Sequence, residues 1–309
     1  MSASVDTTWE EAFARLYWRL GPETKTAIVD LLPDDWSFEG KRVLDFGCGP
    51  GRTLALFRDE AEVAEIWGVD IDAESIGLLK TAHCPPLHAH QCGYAPPLDL
   101  GYGSFDLAWA ISVFTHLTDN SIPWLLELHR LLRAGGYLLA TYMGRWHSEF
   151  LTRLTGEPWD EDKVGMNVLR HDQPREGGGP MVLMSDWWVR AHWGRAFEIV
   201  HIEPQIHNQS WALMRKRDVE LTIEDLERPE EDPREYLAAR ENLRQVQREL
   251  ESAHREVERA RQTASAGMSE IRREYEDSPS WRITRPLREG RSLARSLRSR
   301  RSRQGPQSQ

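Results

Sequence analysis

VLDFGCGPGRTL, residues 43–54, decides the fold. Val43-Leu44-Asp45-Phe46 runs into Gly47, Gly49 and Gly51 and then into Thr53-Leu54-Ala55-Leu56-Phe57. An apolar run closed by glycines reads as a buried strand ending in a tight turn, and the residues after it as the start of a helix. Strand, glycine turn and helix together shape a crevice for a nucleotide, because a backbone without side chains lets a ligand approach closely. The charge of that ligand is constrained as well. A dinucleotide loop spaces its glycines G-x-G-x-x-G and receives a pyrophosphate, whereas here G-x-G-x-G follows the acid Asp45, which repels an anion and favours a cation.

Outward from this stretch, strand and helix signals alternate. Strands are expected at 42–46, at Glu65 to Val69 ending in Asp70, near 87–91, at 105–111 and at 137–141, with helices at 73–81 (capped by Asp72) and 122–132 between them. Residues 143–180 show no period and read as an insertion. Ser185-Asp186 then opens another helix, and strands at 197–202 and 210–215 pair as an antiparallel end. The expectation is an α/β fold: a Rossmann-like, seven-stranded, mostly parallel sheet with helices on both faces. Asp70 stands 19 positions after Gly51, close to the roughly 20 that a βαβ unit needs to bring a ribose-binding acid to the same crevice.

With VLDFGCGPGR, IWGVDID, SFDLAWAISVFTHL and LLRAGGYLLAT in these places, the chain from about Gly40 to Lys216 resembles the class I S-adenosylmethionine-dependent methyltransferases. S-adenosylmethionine carries a sulfonium and an ammonium group, in keeping with the cation that Asp45 favours. The resemblance implies that Asp45, Gly47, Cys48, Gly49 and Gly51 surround its methionine part and that Asp70 meets its ribose. Ile71, Gln91, Cys92 and Ile111 complete the expected cofactor set. The third strand ends in HAHQCGYAPPL without an acid, so Gln91 is the candidate to accept from the adenine amine.

His116, in SVFTHL after the fourth strand, is the candidate base for an oxygen acceptor; the alternative is that it packs against its own loop. Tyr142, Trp146 and His147 are further candidates for the acceptor pocket, and Asp106 is expected to order structure. No metal is expected: His83, Cys84, His88, His90 and Cys92 offer ligand chemistry, but alternation along a strand scatters them over both faces.

The chain has 309 residues, 40% of them hydrophobic, and a net charge of −10. The charge is uneven: residues 281–303 hold nine arginines against one glutamate, leaving a strongly acidic body for which nucleic acid is an unsuited partner. Three scattered cysteines and the lack of a leader or spanning segment point to a cytoplasmic location. The expected organisation is a helical segment over 1–39, the methyltransferase domain over 40–218, a linker over 219–233, a coiled coil or long helix over 234–276 and a basic, amphipathic or disordered tail over 277–309. The coil rests on a seam of Tyr236, Ala239, Leu243, Val246, Leu250, Ala253, Val257, Ala260, Ala264, Gly267 and Ile271, through which the chain would form an oligomer.

SPSWRITRPLR, in the tail, resembles a segment following coiled coils in bacterial enzymes of cell-surface polysaccharide assembly. That resemblance implies O-methylation of a sugar or glycan intermediate and contact with the inner face of the cytoplasmic membrane, where each arginine contributes about 1 kcal/mol. The alternatives are methylation of a small metabolite or lipid, and a non-catalytic scaffold that keeps the fold.

Overall fold

The computed structural model describes residues 20–147, 149, 160–171 and 179–286. Helix α1 (20–31) precedes β1 (Arg42–Phe46); then come β2 (Glu65–Asp70), α2 (Ala73–His83), β3 (His88–Gln91), β4 (Phe105–Ala110), α3 (Ser121–Leu131) and β5 (Leu132–Tyr142). A hairpin of β6 (Met166–Leu169) and β7 (Met181–Met184) follows, then α4 (Asp186–Ala196), β8 (Phe197–Ile206), β9 (Gln209–Lys216), α5 (Ile223–Glu227) and α6 (Pro233–Asp277). Seven strands form one sheet in the order β3-β2-β1-β4-β5-β9-β8, six of them running the same way and β9 opposite to them. The Rossmann-like fold expected from the sequence is thus the fold observed.

Every residue of β4, FDLAWA, is buried, as a central parallel strand covered on both faces requires. Ala108 and Ala110 face a cluster built with α3 and α4 (Leu125, Leu128, Trp193), while Leu107 and Trp109 face one built with α1, Phe57 and α2 (Ile28, Ile76, Leu79). A buried side chain of this size contributes on the order of 2–3 kcal/mol. Asp106, between them, accepts from the Arg42 amide at 2.9 Å and pairs with Lys41 and Arg133 at the strand's beginning. It ties β1 to β4 far from the strand ends that carry ligands in this architecture.

Three expectations need correction. The segment after the glycines is wound as two short 3-10 turns, Leu54–Phe57 and Glu60–Glu62, where a helix was expected. Thr53 makes no side-chain cap, and only a few residues separate these turns from β2, too few to carry a long helix and return. The insertion is not featureless: β6 and β7 form an antiparallel pair whose amides Val182 and Met184 donate to the carbonyls of Thr115 and Met143. Nor is 219–233 a free linker. Thr222 and Asp225 cap α5 reciprocally, and Leu226 is fully buried in the core.

The body runs on through Val246 and a second unit starts at Gln247, so the first turns of α6 belong to the body. Their anchor is His192 on α4, 2% exposed, whose Nδ1 lies 2.6 Å from the Leu226 carbonyl and whose Nε2 lies 2.7 Å from Glu235. The ring thus ties α4 to the Leu226 carbonyl of α5 and to the Glu235 carboxylate of α6. Replacing His192 with Phe is expected to lower unfolding stability by about 1–3 kcal/mol, because it removes the hydrogen-bonding partner of the Leu226 carbonyl and of the partly buried Glu235 carboxylate. An unchanged midpoint in urea would show that this anchor carries no stability.

Candidate functional site

The glycine loop lies over the carboxyl ends of β1 and β2. Gly47 and Cys48 donate their amides to the Val69 carbonyl at 2.7 and 3.1 Å, and Gly49 donates to Asp70 Oδ2 at 2.8 Å. The other oxygen of Asp70 accepts from the Asp72 amide at 2.8 Å, and Asp72 caps α2 by accepting from the Ser75 amide. One carboxylate therefore fixes both the loop and the start of α2. The loop needs glycine at two places in particular. Gly47 has φ +80°, and a β-carbon there would lie 2.3 Å from Val113; Gly51 has φ +93°, and its β-carbon would lie 2.6 Å from Leu79.

Asp45 sits beneath the loop, 3% exposed. Burial lifts its carboxyl from the ordinary 3.8 to about 7, the indole of Trp109 holds the rise back, Asp70 adds to it and Arg52 subtracts. The Trp109 N–H leans toward the carboxylate without closing a hydrogen bond of regular geometry. Two acids at adjacent strand ends, one of them kept partly protonated by burial, make a place for a cation. Because no α-helix begins at the loop, no helix macrodipole opposes this charge preference.

The remaining expected cofactor residues fall along the same edge. Ile71, 39% exposed, follows Asp70. Gln91 pairs with Asp70 across β2 and β3, and its amide nitrogen donates to the Ile71 carbonyl at 3.3 Å. Cys92 donates its amide to the Asp70 carbonyl, and burial pushes its thiol up to about 11. Ile111 is half-buried at the end of β4. Cys48 contributes backbone only: its side chain is buried in the core below the loop, and burial raises its thiol well above the ordinary range. Among the described residues no three acidic, histidine or cysteine side chains converge as metal ligands.

A second group gathers beyond β4 and β5. His116 is exposed, and its Nδ1 lies 2.8 Å from the Pro180 carbonyl, at the foot of β7. A carbonyl can only accept, so the proton sits on Nδ1 and the Nε2 lone pair is left to act as a base. His147 is a second neutral imidazole: burial lowers it to about 4, the Asn208 backbone opposes and His116 adds to the fall. Its Nδ1 is buried with no hydrogen-bond partner among the described residues. Trp146 stands edge-on to it at 5.1 Å. Tyr142 is not a pocket wall, being fully buried with its hydroxyl 2.5 Å from Asp186 on α4.

Sequence reasoning missed what supports this rim. Ser112 holds φ +59°, unusual for a residue with a side chain and worth on the order of 1 kcal/mol of strain. Its amide donates to Thr141 Oγ1 at 2.7 Å, and its hydroxyl accepts from the Gln209 amide nitrogen at 2.8 Å. Gln209 arrives through the β8–β9 turn, where His207 and Asn208 both have positive φ. The one signal in the sequence was His207-Asn208, a turn pair between two strand patterns.

Residues 44–138 match the family model of a methyltransferase domain. The chain is 32% identical over 167 residues to a trans-aconitate 2-methyltransferase of Azoarcus, covering 52% of this chain and 62% of that protein. It is 30% identical over 131 residues to a ubiquinone biosynthesis O-methyltransferase of Cereibacter sphaeroides, covering 40% and 49%. The chain thus spans less than two thirds of the curated relatives it matches. A solved magnesium protoporphyrin IX methyltransferase from Synechocystis, with bound S-adenosylhomocysteine, superposes with a TM-score of 0.48 at 16% identity over 66% of this chain and 88% of that one.

Asp45 has a stability signature. Its folded pKa lies above its unfolded one, so the folded state keeps a proton that the unfolded state releases, and stability falls as pH rises from about 4 to about 7. Asp45→Asn lacks this penalty. The variant should gain on the wild type across that window, by on the order of 4 kcal/mol at most. Thermal melts at a series of pH values read the difference, and parallel curves would show that Asp45 is ionised throughout. Gly47→Ala should lower the melting temperature and abolish ligand binding in the crevice.

Proposed function

We propose that this chain transfers a methyl group from S-adenosylmethionine to a hydroxyl of a small molecule. The observation that carries the reading is the sign of the crevice: two nearly buried acids, Asp45 and Asp70, beneath a glycine loop that opens no α-helix. A sulfonium and an ammonium add to the one opposing charge, Arg52, that acts on the buried Asp45, whereas a pyrophosphate would add to the repulsion. Asp45 and the loop 47–51 would hold the methionine end. Asp70 would meet the ribose, a carboxylate having about four acceptor positions to divide between loop and diol. Ile71, Gln91 and Cys92 would hold the adenine. The residues present therefore fit the group, and the methyltransferase-domain match supports the same cofactor.

Bound there, the cofactor supplies a methyl group already electrophilic enough to need only alignment. The chain's own part is to place and deprotonate the acceptor. His116, held by the Pro180 carbonyl in the tautomer with Nε2 unprotonated, takes the hydroxyl proton. His147, kept neutral by burial, adds no charge to the rim beside His116. A base at this rim suits a hydroxyl better than a carboxylate, which has no proton to give at neutral pH. The named relatives support a small metabolite or lipid acceptor; the sugar acceptor is a narrower form of the same reading, supported by the SPSWRITRPLR resemblance alone.

Calorimetry with S-adenosylmethionine tests the cofactor. Because Asp45 ionises near 7 in the free protein, binding should be about tenfold tighter at pH 8 than at pH 6, and Asp45→Asn should bind weakly without that dependence. Binding of NAD in its place would overturn the reading. Transfer of a labelled methyl to a panel of phenols, hydroxy acids and sugars tests the chemistry. His116→Gln should lower turnover about 10²- to 10⁴-fold and remove the acid limb of the pH profile, with cofactor affinity kept. Cofactor binding without turnover on any hydroxyl acceptor would favour the scaffold.

A further inference from the structure

The long helix carries an apolar stripe that nothing in its own chain covers among the described residues. Leu243, Leu250, Val257 and Ile271 on α6 are 58%, 55%, 50% and 64% exposed. They stand seven residues apart with Ala264 in the same series, and Val246, Ala253, Ala260 and Gly267 recur three residues after them. This is the a and d spacing of a two-stranded coil. The stripe starts where the helix stops serving the body: Ala238 is buried and Asn242 accepts from the Val168 amide at 3.2 Å, whereas the next turn is open.

We propose that this stripe is covered by the same stripe of a second copy of the chain, in a parallel, in-register coiled coil running from about Leu243 to Ile271. The charges flanking the stripe select the partner and its direction. The g positions are Glu249, Glu256 and Glu270 with Thr263, and the e positions are Gln247, His254, Arg261 and Met268. In a parallel pair each g residue meets the e residue five places later on the other copy. That sets Glu256 against Arg261 and Glu249 against His254, on both sides of the seam. An antiparallel pair sets g against g and e against e, which opposes glutamate to glutamate and arginine to arginine or histidine. The pattern is not a device of the single helix. Residues five apart do not face each other on one helix, and pairs that α6 makes with itself, such as Glu241 with Arg244, Glu251 with Arg255 and Arg272 with Glu276, are three or four apart.

The composition of the seam sets the strength. Leucine, valine and isoleucine hold the a series, but alanine and glycine at d bury little, although they let the two axes approach closely. Association is therefore reversible and depends on concentration.

Sedimentation equilibrium of the full chain is expected to show a monomer–dimer equilibrium. Glu256→Arg and Arg261→Glu should each weaken it about tenfold, by placing like charges across both sides of the seam, and the double variant should return it to near the wild-type value. Direction is read from cysteines placed at the seam. Leu250→Cys and Ile271→Cys, made separately, should each give a disulfide-linked dimer under mild oxidation, with the wild type as control for Cys48, Cys84 and Cys92. A chain that stays monomeric at every concentration overturns the proposal. So does a double variant no better than the single ones, or cross-linking at neither or only one of the two positions, as an antiparallel pair would give. Unchanged thermal unfolding of the body in each variant shows that the substitutions act on association alone.

Discussion

The carboxylate of Asp70 holds the site together. Its two oxygens accept the amides of Gly49 and Asp72, so a single side chain at the end of β2 closes the glycine loop and starts α2. The loop in turn covers Asp45, and the burial that results is what raises its carboxyl. Loop geometry and electrostatic preference are thus one property. A backbone folded tightly over the strand ends expels water from the acid beneath, and an acid kept from water favours a cation.

The opposite half of the edge is assembled from farther apart in the chain. β8 runs with the parallel strands and β9 back against them, which puts their connecting turn at the same edge as the end of β5. That turn delivers Asn208 and Gln209 beside Ser112, at the end of β4. The inserted hairpin closes from above, its Val182 amide on Thr115 and its Pro180 carbonyl on His116. The first half of the domain therefore carries the glycine-loop crevice with its two acids, while the inserted hairpin and the β8–β9 turn build the rim around His116 and Ser112.

The legibility of these two halves in the sequence differs for a physical reason. β1, β2 and β4 are buried on both faces, so their residues form nearly continuous apolar runs with a glycine or acid marking the end. Asp45, Asp70 and the glycines lie within one βαβ unit, where chain length fixes separation in space. The 3-10 turns after Gly51 were read as a helix because five mixed residues do not distinguish the two. The hairpin β6–β7 was missed because its four-residue strands lie in a stretch without period. His192 and Leu226, which make 219–233 part of the body, are joined by contacts across dozens of residues, and local pattern carries no trace of such contacts.

The sequence by itself determined the seven strands of the main sheet, the place of the glycine loop and its two acids, and the helical period of residues 234–276, because each depends on local spacing and on which side chains avoid water. Only the tertiary structure decided the tautomer of His116, the neutral state of His147, the strain at Ser112 and the burial that lifts Asp45. Each of these depends on what a group is packed against, and its neighbours come from segments that meet only when the sheet has closed.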